Sequence, residues 1–261
     1  MKSIINYREA DGSIINFEAH SSLKSPADLA RYYATEKNYS DRYVVFTDKL
    51  TKSKANAKNK KMEAEAEYGI FMSCILRPSI FPSQATLLSA MSTVALTEGL
   101  AEHTDKDIGI GWVSDIYCDK VKIGSVSLEG KLDDFTTYEY IIISFNVKIS
   151  KSNFPPRLKD MVKKVFQSEN TSVNMIIART ILSHFFKYYQ SLRTPQKFMD
   201  AYNERFALRG KRVKLLRNEK WKSYKVLGVD TKTGQLILDS GKSTPLTVSS
   251  PKLIQNPKKI R

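Results

Sequence analysis

The sequence predicts an α+β fold. A mixed β-sheet packed by helices is expected over residues 1–207, followed by a small all-β barrel over residues 208–261. Three observations carry this. Residues 111–129, GWVSDIYCDKVKIGSVSLE, read as a β-hairpin, with two runs rich in β-branched and aromatic residues on either side of Asp119-Lys120. Upstream and downstream of it, strand-like runs alternate with segments of helical periodicity. From Leu208 the pattern changes to short strands, KRVKLL, KSYKVLGVD, GQLILD and TPLTV, parted by the turn signals Thr233-Gly234 and Ser240-Gly241.

Taken in order, IINY and IINF flank Ala10-Asp11-Gly12, an Asp-Gly hairpin turn. Ser25, Pro26 and Asp28 supply an N-cap, a first helical residue and a capping carboxylate for a helix reaching about Thr35. Arg42 to Thr47 is a short strand, and residues 68–78 another, ending at Arg77-Pro78. The polar stretch between them holds six lysines from Lys49 to Lys61 and reads by itself as a disordered basic loop. Pro82 to Glu102 places Leu87, Leu88, Met91, Val94, Ala95 and Leu100 largely on one face of a core helix. Tyr138 to Ile149 is a long strand. Pro156 to Phe166, Val173 to Leu192 and a segment restarting at Thr194-Pro195 and running to about Phe206 are helical.

The 261 residues suffice for one sizeable core and a small second domain, and 41% hydrophobic content is that of a globular protein. Cys74 and Cys118 make no disulfide framework, which fits a reducing compartment. No apolar run reaches transmembrane length, so no membrane partner is expected. The opening MKSIINYREADG meets charge too early for a secretory signal, and it is not the Arg-rich, acid-free pattern of a presequence. A cytoplasmic location is expected, with the mitochondrion left open. His20, His103 and His184 stand apart from any Cys or acidic run, so neither a metal site nor a histidine triad is expected.

The net charge of +15 is unevenly placed: residues 207–261 hold 14 Lys and Arg against 3 Asp and Glu, or +11. Such a domain suggests a polyanion partner, RNA, DNA or an acidic protein, set against a plain lysine-rich surface. Lys211, Arg212, Lys214 and Arg217 are the candidate contacts.

In the hairpin, Asp115 and Lys122 stand on opposite arms of the expected turn and would meet across it. A carboxylate there holds the lysine charged and aimed; as a surface ion pair alone it contributes little. The segment resembles the signature hairpin of biotin–protein ligases, in which Lys-Trp-Pro-Asn-Asp-(Ile/Leu) is followed by Lys-(hydrophobic)-Gly-Gly. Trp112, Asp115 and Ile116 match the first part, and Lys122, Ile123 and Gly124 the second. Gly111, Val113 and Ser114 replace that pattern's lysine, proline and asparagine.

The resemblance extends along the chain in order. Ser25-Pro26-Ala27-Asp28 falls where the family has Ser-Thr-Asn-Asp at a pocket helix, keeping Ser25 and Asp28. Lys54 and Lys58 fall in the place of a glycine- and arginine-rich nucleotide loop and keep its charge without its glycines. Asn146-Val147 match the end of a strand whose two pocket glycines are here Ile142 and Ser144. Gly210 to Val213 match the start of the family's terminal SH3-like domain.

The resemblance therefore implies a class II synthetase-like catalytic domain with an SH3-like barrel. It implies Lys122 and Asp115 as catalytic residues, with Ser25, Trp112, Gly124, Asn146, Lys54 and Lys58 binding ligand. It further implies biotin and ATP with magnesium as ligands, and a biotin-accepting carboxylase domain as partner. The lost glycines and arginines and the basic barrel carry the alternative: an inactive relative that binds RNA or ribosomal proteins. A lipoate or octanoate transferase is the third reading; those relatives usually lack the barrel.

Overall fold

A computed structural model of the chain describes residues 2–8, 12–51, 67–148, 173–257 and 260. The elements run β1 (Lys2–Arg8), β2 (Ile14–His20), α1 (Pro26–Thr35), β3 (Tyr43–Leu50), β4 (Glu67–Leu76) and α2 (Ala85–Ala101). Then come β5 (Ile108–Gly111), β6 (Asp115–Cys118), β7 (Val121–Leu132), β8 (Tyr138–Lys148), α3 (Val173–Tyr189) and α4 (Gln196–Glu204). The chain closes its described part with β9 (Arg212–Arg217), β10 (Lys220–Val229), β11 (Leu236–Leu238), β12 (Leu246–Val248) and β13 (Ile254–Gln255). It forms two compact units, residues 1–81 with 127–179 and residues 82–126 with 180–261. The expected turn at Ala10-Asp11, the helix over 156–166 and most of the lysine-rich stretch lie outside the described residues.

The first unit is a mixed sheet in the order β1-β2-β3-β4-β8-β7, with β2 and β3 parallel. The β1–β2, β3–β4 and β4–β8 pairs are antiparallel. Side chains alternate across a strand, so β8 sends Tyr140 and Ile142 to one face. There they join Tyr43 and Val45 of β3, Ile75 of β4, and Ala30 and Ala34 of α1 in one buried cluster. Helix α1 starts where its sequence says it should: Ser25 Oγ accepts from the backbone N–H of Asp28 at 3.1 Å, and Pro26 opens the first turn. Its far end is bolted by Arg77. That guanidinium donates to the carbonyls of Ala34 and Tyr39 at 3.1 Å, to Glu139 O at 3.3 Å and to Asn38 Oδ1 at 2.8 Å. Arg77 thus satisfies the helix-end carbonyl of Ala34 and ties it to the loop that follows.

Edge strand β1 is anchored through a buried carboxylate. Glu18 on β2 accepts from Tyr33 Oη at 2.9 Å, from Tyr43 Oη, and from Lys2 Nζ at 2.9 Å, and His20 lies against it. Burial alone would raise its pKa, but these bonds outweigh it and hold the group below the usual carboxylate value.

The second unit contains β5, β6 and the start of β7, with α2, most of α3, α4 and the C-terminal sheet. Helix α2 differs from the one-sided helix its leucines suggest. It is buried on nearly every side, including Ser92, Thr93 and Thr97. Those hydroxyls are accommodated because each donates back to the carbonyl four residues earlier. At Gly99 the backbone of α3 comes so near that a Cβ would lie 2.7 Å from Ile181 Cα.

The C-terminal strands form a five-stranded antiparallel sheet, β12-β11-β10-β9-β13, with a bulge in β10 between Val226 and Gly228. The two-residue turn joining β9 to β10 puts Asn218 and Glu219 at φ 49° and 59°, the hairpin turn whose twist suits its strands. This curled sheet is the small barrel expected after residue 208; β13 and the short β5 were not legible.

Candidate functional site

The hairpin is built from its turn outward. Asp119 and Lys120 have φ of 47° and 68°, and Lys106 pairs with the Asp119 carboxylate beside the turn. A two-residue turn pairs Cys118 with Val121 and Tyr117 with Lys122. That register decides the chemistry: it puts Lys122 on the face shared by Tyr117 and Asp115, whereas a slip of one residue would turn it away. Beyond it Ile123 is an extra residue, so Gly124 lies opposite Ile116 and Ser125 opposite Asp115. Lys122 Nζ reaches Asp115 Oδ1 at 2.7 Å, with the carboxylate 15% and the lysine 38% exposed. An ion pair this open adds at most about 1 kcal/mol of stability. Its value lies in placing a cation.

Trp112 does not sit in a strand, as its β propensity suggested, but in the tight connection 112–114 between β5 and β6. That connection is held from several sides within the second unit. The Trp112 indole N–H donates to Gly234 O at 2.8 Å. Val113 O accepts from Thr93 Oγ1 and from Tyr202 Oη, both at 3.2 Å. Ser114 O accepts from the Val126 N–H at 2.8 Å. The free edge of β5 is covered by residues 205–207, through Ile110 N–H to Arg205 O at 2.8 Å and Ala207 N–H to Ile110 O at 2.9 Å.

A further grip comes from the segment after β13. Asn256 Nδ2 donates to Asp115 Oδ2 at 3.0 Å and to Trp112 O. Tyr117 Oη donates to Pro257 O, and the Ile260 N–H donates to Lys120 O at 2.8 Å. Burial pushes the Tyr117 phenol well up, so it stays a donor. Sequence reading missed Asn256, because no local pattern ties it to a hairpin 141 residues earlier.

Ser25 and Asn146 belong to the first unit. Ser25 caps α1, and Asn146 is half-buried on β8 opposite Phe71. On the same face of β8, Ile142 is fully buried in the α1 cluster, and Ser144 Oγ bonds Ser73 Oγ at 2.8 Å. Lys54 and Lys58 lie outside the described residues. The expectation of isolated histidines is corrected by the fold: His20 meets Glu18, and His184 sits between Glu98 at 3.1 Å and Glu102 at 2.6 Å. Among the described residues no group of three or more His, Cys, Asp or Glu side chains is placed to hold a metal. No described helix is long and apolar enough to cross a membrane.

No protein-family model matches the chain. Among curated proteins it is similar to the bifunctional ligase/repressor BirA of Bacillus subtilis, 26% identical over 177 residues, 67% of this chain and 54% of that protein. It matches the Bacillus spizizenii BirA at 26% over 176 residues. Among solved structures it is similar to the biotin protein ligase of Aquifex aeolicus in complex with biotin and ATP. That match has a TM-score of 0.63 and 17% identity and covers 92% of this chain and 97% of that one. The chain is similar to biotin protein ligases in sequence and has their fold. It spans about half the length of its curated BirA relatives. The biotin-ligase fold is also shared with a ligase-like protein of unknown function from Silicibacter, at TM-score 0.60 and 13% identity over 90% of this chain.

On the C-terminal sheet, the four basic candidates do not form one patch. Strand alternation and register place Arg212, Lys214 and Leu216 on one face, opposite Lys225, Ser223 and Trp221. Arg217 belongs to the other face, and Lys211 precedes the strand. Arg212 Nε is tied to Ser223 Oγ at 2.9 Å, and Trp221 is 48% exposed.

Proposed function

We propose that this chain is a divergent biotin–protein ligase, joining biotin to ATP and passing the acyl group to a lysine of a biotin-accepting carboxylase domain. The observation that carries the reading is the Lys122–Asp115 pair, fixed on a braced hairpin in a chain related to such ligases. In the first step the biotin carboxylate attacks the α-phosphorus, an acyl–phosphate bond forms and pyrophosphate leaves. The nucleotide brings magnesium as part of the substrate. Lys122 offsets the negative charge of the adenylate, which is worth most where water is excluded. In the second step the acceptor amine attacks the acyl carbon, AMP leaves, and the amine proton is released to solvent. Asp115 orients the adenylate or the incoming amine, and Trp112 and Gly124 of the same hairpin contact the ligand; Ser25, Asn146, Lys54 and Lys58 keep the ligand-binding roles that the resemblance implies.

The test is titration calorimetry with biotin and then with a non-hydrolysable biotinyl-adenylate mimic, followed by biotin-dependent pyrophosphate exchange. Tight mimic binding and exchange are expected. Lys122→Ala is expected to abolish exchange while the near-UV spectrum stays native; exchange at the parent rate in that variant would remove the proposal.

A second reading, a non-catalytic relative that binds RNA, is favoured by one observation: the Arg212–Lys214–Lys225 ladder beside Trp221. Cations along a strand with one exposed aromatic suit a single-stranded polyanion. It predicts quenching of Trp221 by single-stranded RNA that weakens steeply with salt, with a shallower slope in the Arg212→Gln, Lys214→Gln double variant. Absence of quenching at physiological salt would dismiss it.

A further inference from the structure

We infer that Asn256 is a positioning residue for the Asp115–Lys122 pair, reaching it through space that a side chain at residue 111 would fill. The inference rests on the ligase reading for its catalytic consequence and on geometry alone for its structural one.

Asp115 is gripped by both oxygens. Oδ1 takes Lys122 at 2.7 Å and Oδ2 takes the Asn256 amide at 3.0 Å. With both donors in place the carboxylate cannot rotate, so the ammonium it holds has one location. Remove the amide, and either oxygen can serve Lys122, spreading the long side chain over several rotamers. The residue type matters as well. A cation at 256 would compete with Lys122 for the carboxylate, and another carboxylate would repel it. An amide donates without changing the charge of the pair.

Two further observations give the amide a dedicated place. The same Nδ2 also donates to Trp112 O, so the β5–β6 connection and the carboxylate are tied to one group. Turned the other way, the amide would put its oxygen against two acceptors, so its orientation is set by its partners. That orientation leaves Asn256 Oδ1 buried and without a partner among the described residues. An unpaired buried acceptor opposes folding, so the side chain is held there by its donors.

Gly111 supplies the room. A Cβ built on it would lie 2.7 Å from Tyr117 Cε2, 3.1 Å from Asp115 Cβ and 3.3 Å from Asn256 Nδ2. The glycine at 111 and the asparagine at 256 therefore go together. The flanking bonds, Tyr117 to Pro257 and Ile260 to Lys120, lay the segment along the hairpin so that Asn256 arrives at the carboxylate.

The experiment has two arms on the full chain. In the first, biotin-dependent pyrophosphate exchange is measured for Asn256→Ala and Asn256→Gln. Asn256→Ala is expected to lower kcat about 10- to 100-fold, the effect of misplacing a reacting group by an ångström or less, with KM for biotin within about twofold. Asn256→Gln, which keeps both donors, recovers part of the loss. In the second, which needs no activity, acetylation of Lys122 by an N-hydroxysuccinimide ester is followed by peptide mapping, with Asp115→Asn setting the ceiling. Asn256→Ala is expected to raise the Lys122 rate several-fold toward that ceiling while other lysines keep theirs; Asn256→Ser serves if the alanine variant does not fold. A Lys122 rate that does not respond to either variant overturns the inference. So does a kcat that falls only in step with the folded fraction. A parent protein without exchange but with the labelling response removes the ligase reading and leaves the positioning role standing. The converse result removes the positioning role alone.

Discussion

At the scale of single residues, the site depends on neighbours that chain order hides. Asp115 and Lys122 were legible as a pair, because a separation of seven positions that spans a two-residue turn puts both on one face. Asn256 was not, because a contact 141 residues away leaves no trace in local pattern. Gly111 looked like a simple loss of the lysine in the resembled motif, yet Tyr117, Asp115 and Asn256 leave a side chain no room there. Gly111→Lys is therefore expected to destabilise the protein by about 1–3 kcal/mol, the range for overpacking, and to lower exchange; urea unfolding alongside the exchange assay checks both. A gain in exchange at unchanged stability would contradict this. Ile142 stands where the resembled strand has a pocket glycine, and it is fully buried among Ala30, Ala34, Tyr43 and Ile75.

At the scale of elements, helix α1 and the two-residue hairpin turn followed from local chemistry: a cap with a proline, and a short turn between β-rich runs. Helix α2 was legible as a helix but not as one buried on nearly every side, since its leucines suggested a single apolar face. Its contact with α3 makes two predictions. Gly99→Ala would drive a Cβ to 2.7 Å from the Ile181 backbone, and a loss of about 2 kcal/mol in urea unfolding is expected. The second concerns pH. His184 on α3 is held between Glu98 and Glu102, with Tyr188 also donating to Glu98. The bond to Glu98 foremost, then that to Glu102, raises the His184 pKa above its ordinary value despite burial. A raised histidine pKa gives stability that is fully present below the unfolded value near 6.5 and is lost as pH rises through the folded value. The parent's Tm should thus fall by a few degrees on going from pH 6 to pH 8.5, and His184→Gln should flatten that slope. An equal slope in both proteins would show that the imidazolium does not hold α3.

At the scale of the whole molecule, composition marked residue 208 as a boundary, and the five-stranded sheet does begin just after it. Contacts group the chain otherwise: that sheet falls in one unit with residues 82–126, which include the hairpin. Composition reads where the pattern of residues changes, whereas cohesion follows which surfaces meet. Residues 1–207 made alone should therefore melt without cooperativity. Trp112, Asp115 and Tyr117 would lose Gly234, Asn256 and Pro257 together. A circular-dichroism melt as sharp as that of the full chain would contradict this and restore the compositional boundary. The bond from Asn256 to Asp115 also sets a timetable. The hairpin leaves the ribosome long before its brace: at 5–20 residues per second, the 141 residues between them take roughly 7–28 s to synthesise. Through that interval the nascent chain displays an unbraced carboxylate and lysine, and an interrupted translation product that stops short of residue 256 never acquires the brace. Competence would then be conferred late in synthesis, a length check written into a single amide.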